Sequence, residues 1–211
     1  MFFNNISELI YNFDSSILLW IQDSVRNPIL TPFFTFITHL GDSGIFWIAL
    51  SLILCIFKKT RKAGICGLFA LLFSVTFNNA FLKNVVGRIR PYEIIPGLEC
   101  IVKHATDPSF PSGHTGASIA AATAFLKTLP KKFSIPAMVV AVLISLSRLY
   151  IGIHYPTDVI AGAITGAALG IIACVLIDFI IKKIKEKHPD TINKIFWDET
   201  KENKQKETAK Q

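Results

Sequence analysis

Three short stretches of the sequence carry ionisable side chains next to long apolar runs. Such side chains are costly beside a membrane, so each is expected to have a use. They comprise cations, imidazoles and one carboxylate, which are side-chain types that hold and transfer phosphoryl groups. In chain order the residues are Lys83 and Arg90; Ser112, Gly113 and His114; and Arg148, His154 and Asp158.

Lys83 and Arg90 stand seven residues apart, at the end of one apolar run. Seven residues make about two helical turns, so the two cations are predicted to share a helical face. Such a pair on its own is typical of side chains that snorkel towards the membrane surface, and Arg88, on another face, is expected to do so. Arg148, at the end of a later apolar run, supplies a third cation.

A helix start is predicted at Ser112, directly after Pro111. Serine is a favoured N-cap residue, and Gly113 allows a ligand to approach the backbone closely. The unpaired amides of a helix start bind anions, and His114 would lie in the first turn beside such an anion. Taken alone, the sequence Ser-Gly-His at a helix start usually indicates only a cap.

The segment from His154 to Asp158 predicts an imidazole backed by a carboxylate. Pro156 suits the first position of a helix, which places Asp158 in the first turn and within reach of His154. A carboxylate behind an imidazole fixes its tautomer and raises its nucleophilicity. Together with the cations and the helix start, this pair indicates a site for a phosphoryl group.

The elements that must position these residues are apolar helices. Of the 211 residues 51% are hydrophobic and 18% are charged, less than the ~25% charged residues of soluble proteins. A membrane helix needs ~20 mostly apolar residues. The sequence therefore predicts an all-α, polytopic transmembrane helical bundle of about six spans. These are 29–40, 44–57, 65–86, 113–129, 133–153 and 158–181, and whether 29–40 crosses fully is left open because it is short and contains Pro32.

The prediction divides the chain into three parts: an N-terminal interfacial helix over 1–27, a transmembrane domain over 28–183 and a cytoplasmic, largely disordered tail over 184–211. The N-terminal helix is assigned to the interface because Asp14 interrupts its apolar face. The tail is polar after a short amphipathic segment near 192–196 that is expected to rest on the inner surface. No cleaved signal peptide is predicted.

Orientation follows from the distribution of Lys and Arg. The basic clusters at 58–62, 131–132 and 182–187 fall on one side of an alternating bundle, which the positive-inside rule makes cytoplasmic. The long polar loop over 90–112 and the link over 154–158 then lie outside. The chemistry is therefore expected at the extracytoplasmic side of the cytoplasmic membrane.

Composition excludes several partners and cofactors. The net charge of +7 does not indicate nucleic acid, because the basic residues sit in short clusters between apolar runs. The four cysteines show neither a CxxC metal pattern nor a disulfide framework. Cations and imidazoles, in place of a carboxylate cluster, predict that no metal and no cofactor is bound. The oligomeric state is left open; Gly162, Gly166 and Gly170 form a small-residue stripe, for which packing within the chain is favoured over dimerisation.

The three groups resemble the signature motifs of the PAP2 (type 2 phosphatidic acid phosphatase) superfamily. The matching segments are Lys83-x6-Arg90-Pro91, Pro111-Ser112-Gly113-His114 and Ser147-Arg148-x5-His154-x3-Asp158, with no departure at a signature position. The six-span layout is similar to that of the small bacterial membrane members, and the apolar spans argue against the soluble haloperoxidases of the family.

The resemblance implies a role for each residue. His154 would attack phosphorus to form a phosphohistidine, Asp158 would orient it, and His114 would protonate the leaving oxygen. The residues implied to hold the phosphate are Lys83, Arg90, Ser112, Gly113 and Arg148. The domain over 28–183 would accordingly be a transmembrane phosphatase domain.

The expected function is hydrolysis of a lipid phosphate or diphosphate, with undecaprenyl diphosphate favoured as the substrate. Phosphatidylglycerophosphate and phosphatidic acid are the alternative substrates. An anion or lipid transporter is the competing class, but the charges cluster at one membrane face, whereas carriers place their sites near the midplane. A non-enzymatic scaffold would explain the apolar spans but not the convergence of His, Asp and Arg.

Four further polar residues receive simpler interpretations. His39 and Asp42 are expected to cap the outer end of the first span, and a supporting role at the site is the alternative. Asp107 is expected to lie in a solvated loop, and contact with a lipid head group is the alternative. Asp178, near the inner end of the last span, is expected to contact a neighbouring helix or the interface.

Overall fold

The computed structural model of the protein describes residues 2–189 and 195–196, in which helices are joined by loops and no strand occurs. This confirms the predicted all-helical class. The predicted tail and its amphipathic segment lie largely outside the described residues. The elements are α1 (Phe2–Trp20) with a π-helical turn (Ile21–Val25), α2 (Leu30–Leu40), a 3₁₀ turn (Asp42–Gly44), α3 (Ile45–Ile56), α4 (Arg61–Ser74) continued by a π-helical segment (Val75–Leu82) and α5 (Lys83–Val86), α6 (Pro91–Ile94), α7 (Gly113–Thr128), α8 (Lys131–Tyr150) and α9 (Pro156–Lys187).

Three described stretches are long and apolar enough to cross a membrane: Arg61–Ile94, Lys131–Tyr150 and Pro156–Lys187. The helices Leu30–Leu40 and Asp42–Ile56 bend by 46° at their junction and make a fourth candidate if they are one span. Each of these two helices is too short to cross the membrane by itself, because about 20 residues are needed to span a hydrocarbon layer of about 30 Å. The described residues thus hold three or four candidate spans, and the six-span arrangement stays a prediction.

Helix α7 lies at the centre of the bundle and packs against α4, α8 and α9. Its buried face is built mainly of small residues such as Ala120, Ala121 and Ala124. The glycine stripe of α9 lies against this helix, since a Cβ at Gly166 would meet the Gly116 carbonyl oxygen at 2.5 Å. Gly162 and Gly170 approach α7 equally closely. The stripe therefore joins two helices of one chain and brings their first turns together.

The bundle presents apolar side chains outwards as well as inwards. Trp47 is fully buried and donates a hydrogen bond to Ser118 Oγ (2.9 Å), linking α3 to α7. Large apolar side chains such as Leu52, Ile164 and Val175 are exposed on the outer helix faces. Exposed apolar surface on helices is typical of an integral membrane protein.

The two ends of the bundle differ in chemistry. At one end Lys62 of α4 lies 2.5 Å from Asp178 of α9, so the predicted helix contact of Asp178 is confirmed. At the other end α5 ends and α7 and α9 begin, and the predicted site residues collect there. Helix α1 reaches this second end, where it packs against α9 and buries Asp14 and Leu18. Asp14, which the interfacial assignment used as a polar mark, faces protein; the interfacial position of α1 itself stays a prediction.

Candidate active site

His154 and Asp158 form the buried centre of the site. His154 lies in the link between α8 and α9, 1% exposed, with Nδ1 3.4 Å from Asp158 Oδ2. Arg90 Nη1 lies 3.1 Å from the opposite ring nitrogen, Nε2. Burial, and after it the charges of Arg90, Arg148 and Lys83, hold the pKa of His154 well below its usual value. A neutral imidazole with Nε2 turned towards cations is the form that a nucleophile requires.

Helix α9 places the carboxylate as predicted. Pro156 is its first residue, and Asp158 Oδ2 accepts a hydrogen bond from the Tyr155 amide at 3.1 Å. The same oxygen accepts from Ser109 Oγ at 2.5 Å, a contact that the sequence interpretation missed. Asp158 is fully buried, so its orientation is fixed by these partners.

Lys83 and Arg90 converge on one carboxylate, although not for the predicted reason. Helix α5 ends at Val86, and Gly87 follows in the left-handed region at φ 59°, which favours glycine. Arg90 is therefore in extended backbone (φ −69°, ψ 148°) and shares no helical face with Lys83. The two cations meet at a residue of the long loop, after the helix that carries Lys83 has ended at Gly87.

Asp107 is the carboxylate on which they converge. Its Oδ2 accepts a hydrogen bond from Lys83 Nζ, and its Oδ1 accepts from Arg90 Nη2 at 2.8 Å. Burial raises the pKa of Asp107, but the hydrogen bond and charge of Lys83, with the charge of Arg90, outweigh it and hold the pKa below its usual value. Asp107 lies in the loop with its side chain half exposed, as expected, but it also forms ion pairs with both cations and so marks a place where they bind an anion.

Arg148 supplies the third cation from the end of α8. The side chain is buried, and Nη1 donates to Thr38 Oγ1 at 2.5 Å. Its Nε is buried with no hydrogen-bond partner among the described residues. A buried donor of this kind calls for an acceptor, and a phosphate oxygen would provide one.

The start of α7 faces the same end of the bundle. Ser112 is the N-cap residue as predicted, but its Oγ accepts from Thr115 Oγ1 (3.0 Å) and makes no cap bond. Its amide donates to the Asp158 carbonyl at 3.1 Å. The first bond within the helix runs from the Gly116 amide to the Ser112 carbonyl (2.9 Å), so the amides just before Gly116 have no partner inside the helix. These amides suit an anion.

Gly113 lies close to the π-helical continuation of α4. A Cβ at this position would lie 2.6 Å from Asn79 Oδ1. A side chain at this position would therefore have to displace the Asn79 side chain.

His114 is held by Asp42, one of the two residues for which a helix cap was the favoured interpretation. Its Nε2 lies 2.9 Å from Asp42 Oδ1, and His39 Nδ1 lies 2.7 Å from Asp42 Oδ2. His39 and Asp42 thus belong to a chain of contacts that ends on a predicted site residue, which agrees with the alternative of a supporting role.

Arg88 does not snorkel. It donates from Nη1 to Asp158 Oδ1 (2.7 Å) and to Thr157 Oγ1 (2.7 Å), and from Nη2 to Asp14 Oδ2 (2.6 Å). The sequence offered little signal for this network, since helical periodicity fails after Gly87 and Asp14 lies far away in the chain. All eight predicted site residues thus lie at one end of the bundle, together with Asp14, Asp42, Arg88, Asp107 and Ser109.

The described residues include no group of three or more His, Cys, Asp or Glu side chains placed to hold a metal ion. The absence of a cofactor stays a prediction.

Comparison with known proteins identifies a family whose profile matches more than half of the chain. The profile described as PAP2 superfamily matches residues 63–182. A Sulfolobus acidocaldarius protein named undecaprenyl-diphosphatase is 36% identical over 121 residues, which are 57% of this chain and 58% of that protein. The match thus spans less than two thirds of this relative's length.

Two further matches cover more of both chains. Phosphatidylglycerophosphatase B of Bacillus subtilis is 34% identical over 179 residues, 77% of this chain and 79% of the relative. The crystal structure described as a transmembrane PAP2-type phosphatidylglycerolphosphate phosphatase from Bacillus subtilis aligns with a TM-score of 0.63 at 31% identity, covering 86% of this chain and 89% of that one.

Proposed function

The chain belongs to the PAP2 superfamily, and on that premise we propose that it is a membrane phosphatase that hydrolyses a lipid phosphate or diphosphate. The observation that carries the proposal is the convergence of Lys83 and Arg90 on one anion next to the imidazole Nε2 of His154. Phosphoryl transfer needs such cations around the equatorial oxygens and a nucleophile in line with the leaving group.

The reaction begins with attack of His154 Nε2 on the terminal phosphorus. The phosphorus–nitrogen bond forms as the bond to the leaving oxygen breaks, and His114 gives that oxygen a proton. Asp158 holds the imidazole and stabilises its positive charge. Lys83, Arg90 and Arg148, with the first amides of α7 at Gly113, hold the phosphoryl oxygens.

Water completes the cycle. It attacks the phosphorus of the phosphohistidine, His114 takes the proton of the attacking water, and His154 leaves. Inorganic phosphate is released, and both imidazoles return to their starting protonation states.

Undecaprenyl diphosphate is the favoured substrate, with undecaprenyl phosphate as the product. The name of the Sulfolobus acidocaldarius relative supports this choice. The name of the Bacillus subtilis relative supports phosphatidylglycerophosphate as the alternative, and phosphatidic acid is chemically close to it. The site contacts only the phosphate, so the choice among lipids depends on how the tail is admitted between helices.

The reaction takes place at the extracytoplasmic face of the cytoplasmic membrane. The basic clusters near Lys62 and Lys182 lie at the end of the bundle opposite His154, and such clusters favour the cytoplasmic side. The lipid head group is therefore taken from the outer leaflet.

The test is the ratio kcat/KM for the three lipids in matched detergent, because this ratio measures discrimination. His154→Ala protein, purified in parallel, controls for contaminating phosphatases. We expect undecaprenyl diphosphate to give the largest ratio. A preference of about tenfold or more for a glycerophospholipid would overturn the choice of substrate. If the protein releases phosphate from none of the three lipids, the proposal that it is a phosphatase is overturned.

A further inference from the structure

Helix α1 carries a carboxylate that is wholly buried next to the first turn of α9. Asp14 has 0% exposure. It accepts hydrogen bonds from the Thr157 amide (3.0 Å), from Thr157 Oγ1 (2.6 Å) and from Arg88 Nη2 (2.6 Å). An aspartate is almost never fully buried unless it is paired, and here its partners are one charged group and the start of a helix.

Arg88 connects this carboxylate to the site. Its Nη1 donates to Asp158 Oδ1 at 2.7 Å while Nη2 contacts Asp14. The guanidinium lies over the Tyr155 ring, 3.7 Å from its centroid, which restricts its rotation. A planar, forked cation can bridge two carboxylates in this way, whereas the single ammonium of lysine cannot keep the same geometry.

The bridge acts together with the Tyr155 amide and Ser109, which hold Oδ2, to determine which oxygen of Asp158 meets the imidazole. Oδ1 is occupied by Arg88, and Oδ2 accepts from Ser109 and lies 3.4 Å from His154 Nδ1. With both oxygens assigned, the carboxylate cannot turn away from His154. Loss of the Arg88 contact would free Oδ1 and release this constraint.

We propose that Asp14 and Arg88 are positioning residues of the reaction: Asp14 holds Arg88, and Arg88 holds Asp158 in the orientation that directs His154 at phosphorus. The inference rests on the proposed function and adds helix α1 to the active site. Neither residue is placed to contact the phosphoryl group, because Nε2 faces Arg90 whereas Asp158, the partner of Arg88, lies at Nδ1.

A mere tether for α1 would give a different result from a positioning role. A tether affects the unfolding of the protein and leaves the turnover of folded molecules unchanged. A positioning role lowers kcat with little change in KM, because the cations that bind phosphate do not depend on Asp14. The separation of kcat from KM therefore distinguishes the two.

The experiment compares wild-type protein with Asp14→Asn, Arg88→Lys and the double variant, using undecaprenyl diphosphate in detergent. Glu8→Gln is the matched control, since Glu8 is an exposed carboxylate on the same helix. We expect kcat to fall roughly 10- to 100-fold in each single variant, as for other residues that orient a reacting group. KM should stay within about twofold, and Glu8→Gln should match the wild type. The double variant should be no slower than Arg88→Lys, because both changes break one bridge.

Several results would overturn the inference. They are a wild-type kcat for folded Asp14→Asn protein, a loss that appears in KM alone, or a double variant whose loss is the product of the two single losses. Thermal unfolding in the same detergent shows which variants are folded. If Asp14→Asn does not fold, Arg88→Lys, which retains the partly buried positive charge, decides by the same kcat criterion. A wild-type protein inactive on every lipid would instead refute the proposed function.

Discussion

Replacing Asp107 by asparagine should strengthen substrate binding and weaken the fold. In the free protein this carboxylate accepts hydrogen bonds from Lys83 and Arg90, whose side chains are 8% and 4% exposed. A substrate phosphate bound by the same cations must displace the carboxylate. Asp107 therefore stabilises the free enzyme relative to the enzyme–substrate complex. Asparagine has a similar shape but no negative charge, so the substitution removes this stabilisation of the free enzyme.

The magnitude follows from the exposure of the carboxylate. The Asp107 side chain is 51% exposed, so solvent screens both ion pairs. At roughly 0.5 kcal/mol for each screened pair, the two together are worth about 1 kcal/mol. Since ~1.4 kcal/mol corresponds to a tenfold change, KM should fall about fivefold in Asp107→Asn. The free energy of unfolding should fall by about 1 kcal/mol, because two buried cations lose their counter-charge.

The assay is steady-state phosphate release in detergent together with denaturant unfolding of the same preparation. Glu93→Gln, an exposed carboxylate on α6, is the control and should change neither quantity. Inhibition by inorganic phosphate should tighten in parallel with KM. A higher KM in Asp107→Asn would refute the reasoning, because it would show that the carboxylate prepares the cations for phosphate and does not compete with it.

Three other predictions concern cofactor, topology and pH. Activity should survive EDTA and be inhibited by vanadate, a mimic of pentacovalent phosphorus; loss in EDTA that Mg²⁺ restores would contradict the site as described. In a background without reactive cysteines, a cysteine at Thr106 should react with an impermeant thiol reagent on intact cells and one at Lys132 should not; the reverse pattern would turn the site inwards. The pKa of His154 lies below its usual 6.5, so the imidazole stays neutral and nucleophilic as the pH falls. The acid limb of the kcat/KM profile, after correction for ionisation of the lipid phosphate, should therefore lie below pH 6.5. An acid limb above that value would mean that His154 is not the group observed.

The parts of the site that are determined by residues adjacent in the chain were predictable from the sequence. Pro156 begins α9 and Asp158 lies in its first turn, because the start of a helix is determined within about four residues. The helix start at Ser112 followed from the same kind of local signal. Such features need no knowledge of the rest of the fold.

The cations were predicted to meet, but by a wrong route. The helical-wheel argument for Lys83 and Arg90 required an unbroken helix, whereas Gly87 ends it in a left-handed conformation. The same break explains why Arg88 was assigned to the membrane surface. Periodicity is informative only within a helix, and a single glycine decides where it stops.

The supporting carboxylates were beyond the reach of the sequence. Asp14 is 74 residues from Arg88, and Asp42 is 72 residues from His114. Contacts over such separations follow from how whole helices pack. Asp14 by itself indicates a polar interruption of an apolar helix face and Asp42 a helix cap, which is why a supporting role was not the favoured interpretation of either residue.

The central claim is that His154 takes the phosphoryl group, and rapid-quench labelling tests it most directly. Lipid labelled in its terminal phosphate is mixed with enzyme, stopped within the first turnover and analysed for acid-labile, alkali-stable phosphate bound to protein. We predict label on His154, none in His154→Ala protein, which should not turn over, and a residual rate in Asp158→Asn. Label found on Ser112, or turnover by His154→Ala, would contradict the account.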